Sequence, residues 1–495
     1  MARFIFILLL LAIIFSASGT WDSAAISAQA ALRWSLVRQI PRLTSDAAPP
    51  FLVADRNQTV HAFYSQWTGG ELVIYYNQWT PSRIWTMPID ILLSPNARQA
   101  TVQGAFLDPR GMIHVIFFGG IESGAEIYYA RAPAVNAGRA SAWSVPVAIG
   151  AHAGKLASAT LSADDKGNLY VLYSGNGEGN GVYEVHSTDY GDTWSESKAV
   201  FLSNSDFLWS FAMRSVLDAQ GRLNVVWTVV NMQGNGEAVY YLRYDPERKQ
   251  WSLPRAMQTI RDCLYEADWA SVSFYKDEVW MVYNCGAPAT HWIRRSRDGG
   301  ITWSDPTIPF RNFIGEAGAA EFVVDSRNNA HLIFANRINN TSTHGMWHSV
   351  WLGDRWSEPD AIVSGTRSFE FDPSRPSAIV SQGNHMLVTW RIDPGLTPNG
   401  VWYSFATLDA PELPMMLLPT PQTTPTLIPA TTTSPRLVPA TATRLPRPTL
   451  APSETTNAPP IDLVSDPTTG VFIALAPVVL LLGVLFVRRI VRGTG

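Results

Sequence analysis

The stretches STDYGDTWSES (187–197) and SRDGGITWSDP (296–306) share the pattern Ser-x-Asp-x-Gly-x-x-Trp-Ser. These residue types suit a tight turn. Asp189 and Asp298 can accept hydrogen bonds from turn N–H groups, and Gly191 and Gly300 can take positive φ without steric cost. Trp194 and Trp303 then begin a strand and can bury a large ring against a neighbouring sheet. Other parts of the chain keep the tryptophan and lose the rest, as in RYDPERKQW and SVWLGDRW. The motif, including Ser187 and Ser296, is therefore expected to be structural.

Working outward, tryptophan followed by Ser or Thr recurs at Trp34, Trp85, Trp143, Trp194, Trp251, Trp303 and Trp356, at gaps of 51, 58, 51, 57, 52 and 53 residues. Each after the first is preceded by a turn and an alternating strand, such as DPRGMIHVIFF or DAQGRLNVVWT, and by a further strand such as EIYYARA or AVYYLRY. Four short strands in a period near fifty are the arithmetic of a β-propeller blade. The first tryptophan strand, ALRWSLVRQI, lacks an upstream blade, while the last blade, from Pro376 to Leu408, lacks a fourth strand. The expectation is an all-β propeller of seven four-stranded blades, with six as the alternative, closed by the N-terminal strand. Closure removes open sheet edges.

The remaining segments have a different character. Arg3 and the apolar run Phe4 to Phe15, followed by small residues, read as a secretory signal within residues 1–30. The propeller is assigned to 31–410 and a Pro/Thr-rich stalk to 411–469. The uncharged run Gly470 to Val487 would span roughly 27 Å as a helix and is followed by a basic tail, 488–495. These features predict a single-pass protein of the cell membrane with the propeller outside and the C-terminus cytoplasmic. Net charge is -4 with scattered basic residues, which argues against nucleic acid.

STDYGDTW and SRDGGITW resemble the Asp-box, or BNR repeat, of the sialidase superfamily, and the fifty-residue blade resembles that superfamily's propeller over nearly all of 31–410. The resemblance implies that these turns face away from the ligand site. It also implies an arginine cluster for a sugar carboxylate, a tyrosine nucleophile assisted by a glutamate, and an aspartate acid/base. The family's Phe/Tyr-Arg-Ile-Pro sequence has only partial echoes here, Arg38-Gln39-Ile40-Pro41 and Tyr129-Ala130-Arg131-Ala132-Pro133.

In a propeller the loops leading into strand one and those joining strands two and three share the ligand face. The lead-ins of the first three blades are bland, but the later four carry SDFLWSFAMRS, CLYEADWASVS, IGEAGAAEFV and RSFEFDPSRPSAIV. Candidate catalytic residues are Tyr265, Glu266, Asp268, Glu316 and Asp372. Candidate ligand-binding residues are Trp209, Arg214, Trp269, Glu370 and Arg375, with Glu321 in the same cluster. Carboxylates, arginines and aromatic faces in one place suit sugar recognition or glycoside cleavage. Cys263 and Cys285 belong to this face, where a disulfide would brace the loop carrying Tyr265 and Glu266. His61, His114 and His331 occupy one equivalent repeat position and are read as blade packing. No metal and no cofactor is expected, and the partner expected is an extracellular glycan or glycoprotein. The readings are a sialidase-like glycoside hydrolase or a non-catalytic binding and adhesion propeller.

Overall fold

The computed structural model describes residues 32–419, apart from 83, 122–123, 155, 157, 316–317, 369 and 393–399. The signal segment, most of the stalk, the apolar C-terminal run and Glu316 lie outside the described residues. Within them, no helix is long and apolar enough to cross a membrane.

The chain forms seven antiparallel sheets, each a blade. Their first strands are Phe51–Ala54, Ala100–Leu107, Ala159–Ala163, Trp209–Leu217, Ala267–Tyr275, Glu321–Val324 and Pro373–Ser381, for blades 1 to 7 in that order. Each first strand packs against those of the two adjacent blades, so the seven line a central axis. Seven apolar clusters fill the seams between adjacent blades, with rings such as Trp79, Trp227, Trp280 and Phe334 fully buried.

Closure occurs where the unmatched ends required it. Arg38–Gln39 pairs antiparallel with Val401–Thr407, the third strand of blade 7, in the register Arg38↔Tyr403 and Gln39↔Trp402. The fourth strands are less regular than the repeat suggested. In blades 1 and 4 they are split in two, and in blade 5 only the bridge Ile293↔Thr307 remains.

What survives in all seven blades is a clamp built from the residue after the tryptophan. The backbone N–H of Ser35, Thr86, Ser144, Ser195, Ser252, Ser304 and Ser357 donates to the third-strand carbonyls of Phe405, Gln78, Arg131, His186, Arg243, Arg295 and Val350, at 2.8–2.9 Å. Each hydroxyl accepts from the N–H of the same third-strand residue at 2.8–3.1 Å. The side chain thus stands in for a backbone carbonyl, which explains why the position admits Ser and Thr alone.

The two long motifs add a lock between blades. Ser187 Oγ donates to Asp189 Oδ1 at 2.7 Å and accepts from Gly191 N–H, while Asp189 accepts from Thr193 N–H. Ser296, Asp298, Gly300 and Thr302 repeat the arrangement. Thr193 and Ser187 hold Asp189 down to about 2; at Asp298 slight burial opposes, yet Thr302 and Ser296 bring it to about 2 as well. Trp194 packs edge-on to Tyr129 of blade 2, and Trp303 edge-on to Tyr241 of blade 4, each with centroids 5.0 Å apart. Arg131 and Arg243, two residues further on, donate to the turn carbonyls of Tyr190 and Gly299 at 2.8 and 2.9 Å. Arg131, the partial echo of an arginine motif, is thereby committed to structure.

The equivalent histidines bond on both ring nitrogens. His61 and His114 link Asp55 and Asp108 to the hydroxyls of Tyr76 and Tyr129, and His331 links Asp325 to His348. Among the described residues no group of three or more His, Cys, Asp or Glu side chains could hold a metal.

Residues 411–419, placed by composition in the stalk, lie along the base of the ring. Ser326 Oγ donates to Pro411 O, Leu413 N–H to Gln382 O at 2.8 Å and Met416 N–H to Arg56 O at 2.9 Å. Leu418 packs on the apolar cluster between blades 1 and 2. This strap covers a cavity of about 220 Å³ lined by Asp55, Asp325 and Gln382.

The clamp and the lock give separable stability tests. Ser195→Ala leaves the His186 N–H without its acceptor and should cost about 1–2 kcal/mol, read as a lowered midpoint in chemical denaturation. Gly300→Ala should cost clearly more, because its Cβ would lie 1.6 Å from Tyr241 Oη at φ +86°, whereas Gly353→Ala, at φ +102° with open space around it, carries backbone strain alone. Equal losses for the two glycine variants would refute the lock.

Candidate functional site

The ligand-face end of the axis is shaped by one backbone device used three times. In blades 4, 5 and 7 the first strand bulges between Phe211 and Arg214, Asp268 and Ser271, and Ser374 and Ser377. The first bulged residue is left-handed in each case: Ala212 at φ 51°, Trp269 at φ 48° and Arg375 at φ 52°. Non-glycine residues adopt this conformation at a cost, and bulges of this kind re-aim side chains beside functional sites.

The bulges bring two of the candidates, Trp269 and Arg375, together with Phe211, which the sequence did not single out. The Trp269 indole lies edge-on to Phe211 with centroids 5.3 Å apart, and the Arg375 guanidinium stands 5.6 Å from its centroid. Trp269 remains half-buried and Arg375 exposed. One layer deeper, Arg214 from blade 4 and Glu321 from blade 6 meet past blade 5, with Nη2 and Oε1 3.9 Å apart. Glu321 keeps 27 % of its side-chain surface accessible, yet protein surrounds the rest. Burial raises its carboxyl and Arg214 only partly counters this, so it stands at about 7. A carboxylic acid near neutrality beside an arginine can donate or accept a proton at physiological pH.

Asp268 is buried and is cross-strand neighbour of Asn284, itself opposite His291. The three form a polar row across blade 5, with His291 edge-on to Phe334 of blade 6 and the Asp268 Cβ close against Gly236 of blade 4. Burial lowers His291 to about 4, so its imidazole is neutral at physiological pH.

The other candidates are dispersed. Tyr265 projects from the rim, 61 % exposed, too far out in solvent to share the environment of Glu321. Glu266 is half-buried beside it and fixes its loop through Gly286 N–H donating to the Glu266 carbonyl. Trp209 is half-buried at the start of its strand, and Glu370 is exposed on a turn. Asp372 is buried in an ion cluster, 2.8 Å from both His344 Nδ1 and Arg367 Nη2. Burial alone would raise its carboxyl, but His344 and Arg367 outweigh it and hold the group ionised. That bonding makes Asp372 a brace between blades 6 and 7. The Cys263–Cys285 disulfide is formed, with Cα atoms 5.1 Å apart. It ties a four-residue capped helix, Ile260–Cys263, to the end of the second strand of blade 5.

No protein-family model matches this chain, and no curated protein matches it in sequence. Among solved structures it is similar to a lectin from Burkholderia pseudomallei, with TM-score 0.52 and 13% identity over 74% of this chain and 98% of that one. Weaker similarity extends to an ulvan lyase, with TM-score 0.48, 12% identity, and 75% and 96% of the two chains covered. An intramolecular trans-sialidase from Ruminococcus gnavus has TM-score 0.40, 12% identity, and 75% and 95% coverage. At 13% identity the likeness to the lectin is one of fold alone.

The position of Glu321 makes a pH-dependent stability difference. Its folded pKa lies above the unfolded value of about 4.3, so the folded state holds the extra proton, and stability falls as pH rises through that interval towards about 7. Glu321→Gln should therefore be more stable than the wild type at pH 8, by on the order of 1–3 kcal/mol, with little difference at pH 4. Denaturation midpoints at both pH values check this; a pH-independent difference would contradict it.

Proposed function

We propose that the propeller recognises extracellular glycans through the Trp269 face, in the manner of a sialidase-like binding module held at the cell surface. The observation that carries this reading is the platform itself: a half-buried indole at the mouth, steadied by Phe211 and with the Arg375 guanidinium over its ring. Sugar rings combine apolar C–H faces with hydroxyl edges, and such a platform offers an aromatic surface for the former and a fork of donors for the latter. The lectin that shares the fold lends support of a general kind. Display at the cell surface rests on the sequence at the two ends: the export signal, the stalk and the apolar run before the basic tail.

One observation favours turnover in addition to binding. Glu321, near neutrality beside Arg214, has the character of a general acid, and Asp268, buried in the first strand of blade 5, is a second carboxyl in a different environment. Two carboxyls in unlike environments are what glycoside cleavage uses.

Full-length protein applied to a glycan array and to a panel of fluorogenic glycosides, a sialoside among them, separates the two. Trp269→Ala should lower retention on the array at least about tenfold, and unchanged retention would exclude the platform as the contact. If the protein turns over a glycoside, Glu321→Gln should reduce the rate on the order of 100-fold while leaving array binding within about threefold. Binding with no turnover of any glycoside assigns the module without the enzyme.

A further inference from the structure

The exposed aromatic side chains among the described residues are Trp67, Phe207 and Tyr265, at 45%, 62% and 61%. All three belong to the ligand face. Trp67 is the penultimate residue of the second strand of blade 1, Val60–Thr68, Phe207 lies in the lead-in to blade 4, and Tyr265 lies in the lead-in to blade 5. None falls on the base or on the outer strands, although those surfaces expose aliphatic residues such as Leu36, Val145 and Leu253. Large rings left in water on one face, around a fourth ring at its centre, form a discontinuous aromatic track.

Between these rings the loops joining strands two and three carry amides and hydroxyls. They read NGEGN (176–180) in blade 3, NMQGN (231–235) in blade 4 and NNTST (339–343) in blade 6, and they are largely exposed. Apart from Glu178 these are neutral donors and acceptors, which match a polyhydroxylated chain. A lipid surface would instead be met by a cluster of basic residues.

We infer that the ligand is an internal stretch of an extended polysaccharide, lying across the mouth from the Phe207 and Tyr265 rim over Trp269 towards Trp67, and not a single terminal sugar. This deepens the glycan reading and rests on it. The disulfide has a part here: joining Cys263 to Cys285, it fixes the base of the loop that holds Tyr265 out into solvent. Arg214 and Arg375, both accessible from the mouth, bias the chain towards one that carries acid groups.

The test is a size ladder. Full-length protein is titrated with hyaluronan, alginate and polygalacturonate fragments, from the monosaccharide to chains longer than the mouth is wide. For the polymer that binds, affinity should climb with length before reaching a plateau. Phe207→Ala and Tyr265→Ala should each weaken the longest fragment about three- to tenfold while leaving the shortest bound fragment unchanged. Trp269→Ala should weaken every length. Binding of the monosaccharide as tight as that of the polymer, or rim variants without effect on long fragments, overturns the extended-ligand inference and leaves the glycan reading intact. Absence of binding to every fragment and to every glycan on the array overturns both. If the surface serves a protein partner instead, the array stays blank and exposed Leu264 becomes the residue whose replacement by Ser abolishes that partner's binding.

Discussion

One paired hydrogen bond, made once in each of the seven blades, fixes the outer edge of every blade, and in blade 7 it also joins the two ends of the ring. After each outer-strand tryptophan a Ser or Thr gives its N–H to a third-strand carbonyl and takes the N–H of the same residue on its hydroxyl. Each such pair is modest, about 1 kcal/mol net for a hydrogen bond, but its loss would leave a strand N–H unsatisfied next to the seam. Because the clamp sets where the tryptophan ring lies, it also sets how neighbouring blades meet. Regular fourth strands are then dispensable, as blade 5 shows by keeping Ser304 on Arg295 with only one bridge beyond it.

A ring closed in this way is a stiff frame, and stiffness lets strained backbone persist at the axis. Ala212, Trp269 and Arg375 hold left-handed φ angles in innermost strands that are paired on one side and packed between blades on the others. Opposing groups then meet from separate blades. Arg214 and Glu321 are more than a hundred residues apart in sequence, yet their side chains come within 3.9 Å past blade 5. The near-neutral carboxyl follows from that enclosure, since burial outweighs the single arginine.

The fold was legible in the sequence because each repeat states it afresh, and the unmatched ALRWSLVRQI and Pro376 to Leu408 revealed the closure. The cysteine pair was legible too, since topology alone put both residues at one end of blade 5. The site was legible only as a neighbourhood. Richness in charge picked out blades 4 to 7, but could not separate Asp372, spent on His344 and Arg367, from Glu321, which is not. Nor did any residue type announce the bulges: Ala, Trp and Arg are not left-handed formers, so only the packed ring reveals them. Phe211 and His291 were missed for the same reason, as each looks like an ordinary strand residue until its neighbours are known.

The strap along the base has a mechanical meaning. Residues 411–419 run beneath blades 6, 7, 1 and 2, attached to Ser326, Gln382 and Arg56 one after another and ending against an apolar seam. A pull applied to the C-terminal end of this strap would be taken up first by contacts that peel singly. The strand pairing that seals the ring, Arg38–Gln39 against Val401–Thr407, is loaded only after those have parted. Under such a pull the strap would act as a strain relief, of the sort that keeps a tug on a cable from reaching its joint.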